Sequence, residues 1–118
     1  MAISLMNMGH LEAINQIDIR TNISPWSKDN LQSSLEVGHH GLVSTKDKTI
    51  TGFIIFSPMP PECHILTIAI DTKFQRSGIG TLLLNKAIDQ SKAMKIKKIF
   101  LEVRLSNETA INFYNSFG

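Results

Sequence analysis

Cysteine is scarce in this sequence, because Cys63 is the only one among 118 residues. A lone cysteine cannot form an internal disulfide, which excludes a disulfide-stapled fold and favours a reducing compartment. Since Cys63 lies in an apolar run, we expect a buried structural thiol rather than a nucleophile. The sequence also lacks the ~20 apolar residues of a membrane span and the basic-then-apolar start of a signal peptide. A cytoplasmic protein without a membrane partner is therefore the expectation.

Charge of one sign is also scarce, since the formal net charge is only +2. A nucleic-acid-binding protein usually gathers basic residues on one face. The densest basic run here lies between residues 92 and 98, at the predicted end of a helix, where cations offset the helix dipole. The adjacent His39 and His40 have no cysteine or carboxylate at metal-binding spacing. We therefore expect no nucleic-acid partner and no metal.

The length predicts one domain, residues 1–118, and the hydrophobic periodicity predicts an α/β fold with a mixed sheet (α+β). The predicted order is β-α-α-β-β-β-α-β-α, with a right-handed strand–helix–strand crossover near the end. Strands are expected at residues 2–6, 41–45, 49–57, 64–70 and 98–105, and helices at residues 10–20, 27–35, after Gly80 and after residue 106. Prolines at 58, 60 and 61 predict a loop. The strand 64–70 is expected to be buried on both faces, with His64 as a core residue.

One loop has the composition of a phosphate cradle. The segment Gln75-Arg76-Ser77-Gly78-Ile79-Gly80 joins the apolar strand 64–70 to a leucine-rich helix. Its glycines let the backbone approach a ligand, and the first helical amides have no intrahelical partner, so they form an anion site with Arg76. The spelling does not fit a P-loop, and Leu83 stands where a dinucleotide fingerprint needs its third glycine. A plain glycine turn before a helix remains the alternative.

At this loop the sequence resembles the GCN5-related N-acetyltransferase (GNAT) superfamily, whose cofactor motif is Gln/Arg-x-x-Gly-x-Gly/Ala. Gln75, Gly78 and Gly80 match that motif. Within the superfamily the chain is most similar to the ribosomal-protein-alanine N-acetyltransferases, the RimI type. That similarity is carried by Ser24-Pro25-Trp26-Ser27, Leu101-Glu102-Val103-Arg104, and Ser106-Asn107 followed by Ala110-Ile111-x-x-Tyr114.

The resemblance implies acetyl-CoA as co-substrate and direct attack of an amine on its thioester. The amine it implies first is the N-terminal α-amino group of a protein, with a ribosomal protein as the candidate acceptor. It assigns cofactor binding to the backbone at the end of strand 64–70, to the glycine loop and to the start of the last helix. The implied cofactor-binding residues are Ile68, Ala69, Ile70, Gln75, Arg76, Ser77, Gly78, Ile79, Gly80, Thr81 and Asn107.

The resemblance also implies two catalytic residues. Glu102 matches the glutamate that takes the proton of the amine, directly or through a water, and Tyr114 matches the phenol that protonates the departing thiolate. A backbone amide near Ile70 would polarise the acetyl carbonyl. Each residue keeps a structural alternative. Glu102 alternates with apolar neighbours like a solvent-facing strand residue, Tyr114 suits a packing aromatic, and Asn107 suits a helix N-cap. Trp26 is expected to be a packing anchor.

In the resembling family the fold continues past the last helix into a two-stranded hairpin beside the strand 98–105, and this sequence stops before it. We therefore expect a C-terminally truncated version of that fold, a fragment of a longer reading frame, that binds the cofactor but turns over poorly. Equal turnover with and without a restored hairpin would contradict this. The alternatives are acetylation of a small-molecule amine and a non-catalytic CoA-binding fragment. The sequence does not indicate the oligomeric state.

Overall fold

The computed structural model describes residues 2–22, 25–75 and 78–101, with the backbone alone at Leu101. Over these ranges the chain forms one five-stranded mixed sheet and three α-helices. The strands are β1 (Ala2–Leu5), β2 (His40–Lys46), β3 (Thr49–Met59), β4 (Glu62–Ile70) and β5 (Lys98–Leu101), and the helices are α1 (Leu11–Thr21), α2 (Lys28–Glu36) and α3 (Ile79–Ala93). The strand order is β1-β2-β3-β4-β5, with antiparallel pairs up to β4 and a parallel β4–β5 pair. The predicted mixed α/β architecture is confirmed, whereas the predicted last helix lies outside the described residues.

Strand β3 is the centre of the sheet, and its alternating side chains feed two cores. Phe53 and Ile55 point towards α1 and α2, while Ile54 and Phe56 point towards α3. All four side chains are fully buried, because helices cover both faces of this strand. The sheet is therefore fixed between two helical layers.

Local signals set most of the boundaries. The Ser27 hydroxyl accepts a hydrogen bond from the Asn30 amide at 3.1 Å, which is the predicted N-cap of α2. Gly38 ends that helix with φ of +95°, a conformation that suits glycine. Asp47 and Lys48 have φ of +51° and +65° and turn the predicted β2–β3 hairpin. Helix α3 begins at Ile79, before Gly80.

The proline-based loop prediction is wrong in part, because β3 continues through Pro58 to Met59. Pro58 lies opposite Cys63 on β4. On the other side β2 begins at His40, opposite Phe56, so Pro58 lies past the end of β2 and the ladder loses no donor there. The turn itself is the Pro60–Pro61 pair, which has a cis peptide bond.

Strand β4 differs from the sequence-based prediction in its burial. Of its nine residues only Cys63, Ile65 and Ala69 are buried, so the strand is not enclosed on both faces. The prediction of a core histidine at position 64 is wrong, since this side chain is 39% exposed. The helices on its face pack over the other end of β4, at Leu66 and Ala69, and leave His64 at the margin.

A β-bulge interrupts β4 at Leu66. Thr67 pairs with Ile55 and Ile65 pairs with Phe56, which leaves Leu66 without a partner on β3. The extra residue changes the alternation, so that Ile65 and Ile68 both pack in the cluster of α3 although they are three residues apart. The second half of β4 is thereby re-aimed just before the glycine loop.

Candidate acetyl-CoA site

The second half of β4 has a free side among the described elements. β3 pairs with the whole length of β4, but the described pairing with β5 ends at Ile65 opposite Leu101. Residues 66–70 therefore have one neighbouring strand in the part of the chain that the structure describes. Backbone groups along such an edge can pair with an extended ligand as they would with an added strand.

The N-terminus of α3 follows this edge and has no side-chain cap. Gly78 is the N-cap residue, has φ of +86° and carries no side chain to accept from the helix. The first helical hydrogen bond runs from the Leu82 amide to the Gly78 carbonyl at 3.1 Å. The amides of Ile79, Gly80 and Thr81 precede it, and helix geometry leaves them without intrahelical acceptors. Together with the helix dipole, these three amides suit an anion such as a pyrophosphate.

The space at Gly78 fits the same interpretation. An added Cβ at Gly78 would meet no atom of the described residues within 4 Å. The glycine is therefore not required by packing against those residues; its positive φ and the open backbone beside it are what glycine provides. Acetyl-CoA, which the sequence motif implies, would thus meet open space at Gly78, helix amides without intrahelical acceptors and an adjoining strand edge.

Gln75 has a bracing role in this structure. Its side-chain Nε2 donates to the Ile70 carbonyl at 3.1 Å and thereby spans the turn between β4 and the glycine loop. A carbonyl oxygen has two lone pairs, so Ile70 still has acceptor capacity for a ligand. Gln75 of the motif therefore stabilises the conformation of the loop.

The structure brings several of the sequence-predicted cofactor residues together along one continuous stretch of chain. Residues 68–70 end β4, Gln75 folds back on them, and residues 78–81 open α3. The remaining predicted site residues, Arg76, Ser77, Glu102, Asn107 and Tyr114, lie outside the described residues.

An ion pair that was not predicted from the sequence reaches the start of this loop. Arg20, near the end of α1, places Nη2 at 3.0 Å from Oδ2 of Asp71, the residue that follows β4. The partners are 51 positions apart, so no local pattern signals the contact. An acidic residue directly after an apolar strand was the one available hint.

A second set of contacts from α1 holds the segment before α2. The Asp18 carboxylate is fully buried and accepts from the Trp26 amide at 2.7 Å and from the Asn22 side chain. The Asn15 side chain donates to the Trp26 carbonyl at 3.1 Å. Trp26 packs partly buried against the core, as a packing anchor would, and also borders a surface cleft of about 340 Å³.

Cys63 and His64 of β4 belong to residue types that can act in catalysis, but their contacts in this structure are structural. Cys63 is buried beside the Ser91 hydroxyl at 3.5 Å, and burial raises the pKa of its thiol, which disfavours the nucleophilic thiolate. His64 stacks on Phe100 with ring centroids 5.1 Å apart and lies 3.7 Å from the Glu62 carboxylate. Among the described residues no group of three or more His, Cys, Asp or Glu side chains is placed to hold a metal.

Comparison with known proteins decides the family. The profile of the Acetyltransferase (GNAT) family matches residues 11–118. The chain belongs to this family. It is therefore an N-acetyltransferase that takes the acetyl group from acetyl-CoA, in agreement with the loop motif and with the free amides of α3.

Relatives of known sequence and structure agree with this assignment. The [ribosomal protein bS18]-alanine N-acetyltransferase of Salmonella typhimurium is 34% identical over 116 residues, which cover 98% of this chain and 78% of that protein. The crystal structure of the Escherichia coli ribosomal-protein-S18-alanine N-acetyltransferase is 31% identical, with a TM-score of 0.92 over 99% of this chain and 76% of that one. Ard1 from Thermoplasma volcanium shares the fold at 24% identity and a TM-score of 0.92, covering 99% and 80%. None of the described helices is long and apolar enough to cross a membrane.

Proposed function

We propose that the chain acetylates the N-terminal α-amino group of a protein, with a ribosomal protein that begins with alanine as the first candidate. The observation that carries this proposal is the start of α3 without a side-chain cap, beside residues 66–70 of β4, which pair only with β3 among the described strands, in a chain 34% identical to a ribosomal-protein-alanine acetyltransferase. We take residues 1–118 as one N-acetyltransferase domain acting in the cytoplasm, where ribosomal proteins are made.

Backbone groups and two side chains would bind acetyl-CoA, the acetyl donor. The backbone of residues 68–70 would pair with the pantetheine arm, and the amides of residues 76–81 would hold the pyrophosphate. Arg76 would add a charged contact to the phosphates, and Ser77 would contribute its backbone amide. Asn107 would donate to the cofactor near the start of the predicted last helix.

The acceptor should approach β4 from the face opposite α3. Leu83 and Leu84 of α3 pack in one cluster with Ile65, so this helix closes one face of the strand. Partner residues on adjacent strands share a face, and Phe100 pairs with His64 on the face away from α3. The strand period of two predicts Glu102 on the face of Phe100, where the Phe100 and His64 side chains are exposed beyond the edge of the α1–α2 layer.

The proposed chemistry needs one base and one acid. An α-amino group has a pKa of about 8, so a large part of it is protonated at neutral pH and must lose a proton before it attacks. Glu102 would accept this proton, directly or through a water, and the Tyr114 phenol would donate to the departing thiolate. The Ile70 amide would donate to the acetyl oxygen as the carbonyl becomes negatively charged. Acetyl-CoA supplies the activated acyl group.

The test uses the chain with acetyl-CoA and a peptide library that varies the first residues, read by mass spectrometry. We expect acetylation at N-terminal alanine or serine. Glu102→Gln and Tyr114→Phe should each lower kcat by roughly 100-fold while CoA binding persists, because general acid–base groups typically contribute that much. Glu36→Gln, which alters an exposed carboxylate on α2, is the matched control and should leave kcat unchanged.

Other outcomes would select other functions. Acetylation of lysine side chains alone, or of free small-molecule amines alone, would contradict an N-terminal acceptor. CoA binding without turnover of any amine would indicate a binding fragment. Failure to bind CoA at all would overturn the whole site.

A further inference from the structure

We propose that the Arg20–Asp71 ion pair positions the acetyl-CoA loop and so sets the affinity for the co-substrate without acting in the chemistry. This inference rests on the cofactor site proposed above. It assigns a role to two residues that the GNAT loop motif does not include.

Asp71 is the point where the chain leaves the sheet, and three elements hold it there. Its amide donates to the Thr51 carbonyl of β3 at 2.8 Å, and its carbonyl accepts from the Phe74 amide at 2.8 Å. Its carboxylate receives Arg20 from α1 at 3.0 Å. One residue thus connects the central strand, the first helix and the short 3-10 turn Thr72–Phe74 that begins the loop.

The two side chains of the pair differ in burial, and this difference determines how strongly the ion pair holds Asp71 in place. The Asp71 side chain is 14% exposed and that of Arg20 is 47% exposed. A fully exposed ion pair contributes little, whereas a carboxylate that is mostly withdrawn from water needs its partner. Removing Arg20 should therefore move Asp71 towards water, and with it the start of the loop.

Helix α1 is a firm base for this contact. Ile14 and Ile17 are fully buried in the core shared with β3, so the helix cannot shift without disturbing the packing. Arg20 lies one turn beyond Ile17, so its backbone position is fixed by the packing of α1. The ion pair thus connects the start of the loop to a helix that is packed in the core.

The loop transmits any displacement of Asp71 to the anion site. From Asp71 the chain runs to Gly78, where the amides of α3 become available, and Gln75 ties the middle of this segment to Ile70. A shift at Asp71 should change the spacing between these amides and the edge of β4. Acetyl-CoA needs both contacts together, so its affinity should fall. Ile70 is held separately by its pairing with Gly52 of β3, so its amide should keep its place, and Glu102 and Tyr114 belong to a later part of the chain.

The test is a split between KM and kcat in the full chain. Arg20→Met and Asp71→Asn should each raise KM for acetyl-CoA by about 5- to 10-fold, and weaken CoA binding equally in calorimetry, with kcat within about twofold of wild type. Arg20→Lys, which keeps the charge, should recover a large part of the affinity. In the double variant Arg20→Asp/Asp71→Arg the opposite charges are restored, and KM should fall below that of either single variant.

The matched control is Lys28→Met, which removes the 2.9 Å ion pair between Lys28 of α2 and Glu12 of α1 without touching the loop. It should leave KM and kcat unchanged. An unchanged KM in Arg20→Met and Asp71→Asn, in a wild-type chain that binds acetyl-CoA, would overturn this inference and leave the proposed function intact. A fall in kcat matching a fall in Tm, with Arg20→Lys equally affected, would make the pair merely structural. A wild-type chain without CoA affinity would overturn both.

Discussion

Helices α2 and α3 begin in opposite ways. At α2 the backbone of Ser27 is extended, and its side-chain hydroxyl caps the helix by accepting from the Asn30 amide. At α3 the N-cap is Gly78, in the left-handed region, and it has no side chain with which to accept. N-cap residues are ordinarily extended and polar, so α2 follows the common arrangement and α3 departs from it.

The difference separates a structural helix end from a functional one. Left-handed glycine is common just after a helix, and Gly38 has that role at the end of α2 with φ of +95°. Gly78 has almost the same backbone angle at the beginning of a helix, where it offers the first amides no side-chain acceptor. No side chain of the described residues caps the helix there, so we infer that the ligand takes the place of a cap.

The largest expected effect comes from placing a negative charge at the start of α3. Gly78→Asp and Gly78→Asn introduce side chains of equal size that both tolerate the left-handed region. The aspartate would occupy the helix amides and repel a pyrophosphate, so KM for acetyl-CoA should rise roughly 10- to 30-fold more than in Gly78→Asn. Steady-state kinetics with varied acetyl-CoA measures this difference. Equal KM values for the two variants would place the pyrophosphate elsewhere.

A smaller effect should separate the two left-handed glycines. Gly78→Ala and Gly38→Ala each force an alanine to positive φ, and neither added Cβ meets an atom of the described residues within 4 Å. Each should lower stability by about 1–2 kcal/mol, seen as a similar fall in Tm. Only Gly78→Ala should also raise KM for acetyl-CoA, by about threefold. A similar change of KM in both variants would show that the effect comes from lost stability.

The smallest effect is expected at the capped end. Ser27→Ala removes the hydroxyl that accepts from Asn30, and loss of an N-cap costs about 1 kcal/mol. Tm should fall by a few degrees in a thermal melt, while KM for acetyl-CoA stays at the wild-type value. Ser27→Asp keeps an acceptor and should recover the lost stability. A change of KM in Ser27→Ala would remove the distinction between the two helix starts.

Local features were predictable from the sequence because their causes are local. Ser27 caps the residue three positions on, and the β2–β3 turn lies within the predicted residues 46–48. The mixed sheet was therefore correctly expected. The anion site at the start of α3 was predicted from the same local reasoning, because the first amides of any helix have no intrahelical acceptor, and it stays a prediction.

Features that depend on distant partners were not predictable. Strand β3 can continue through Pro58 because β2 begins only at His40, opposite Phe56, which the prolines themselves do not indicate. The bulge at Leu66 appears only when the registers of two strands are compared. Arg20 and Asp71 meet because α1 packs over the sheet, and each taken alone reads as an ordinary surface charge.

Helix α1 holds two parts of the molecule with three polar side chains. Asn15 and Asp18 fix the backbone of Trp26, and Arg20 fixes Asp71 at the entrance to the cofactor loop. Chimaeras between relatives should respect this linkage. A graft of the segment before α2 should carry the matching residues at positions 15 and 18, and an exchange of the cofactor loop should carry position 20. In a chimaera, α1 and the two loops should therefore be exchanged together, although they are separate in the chain.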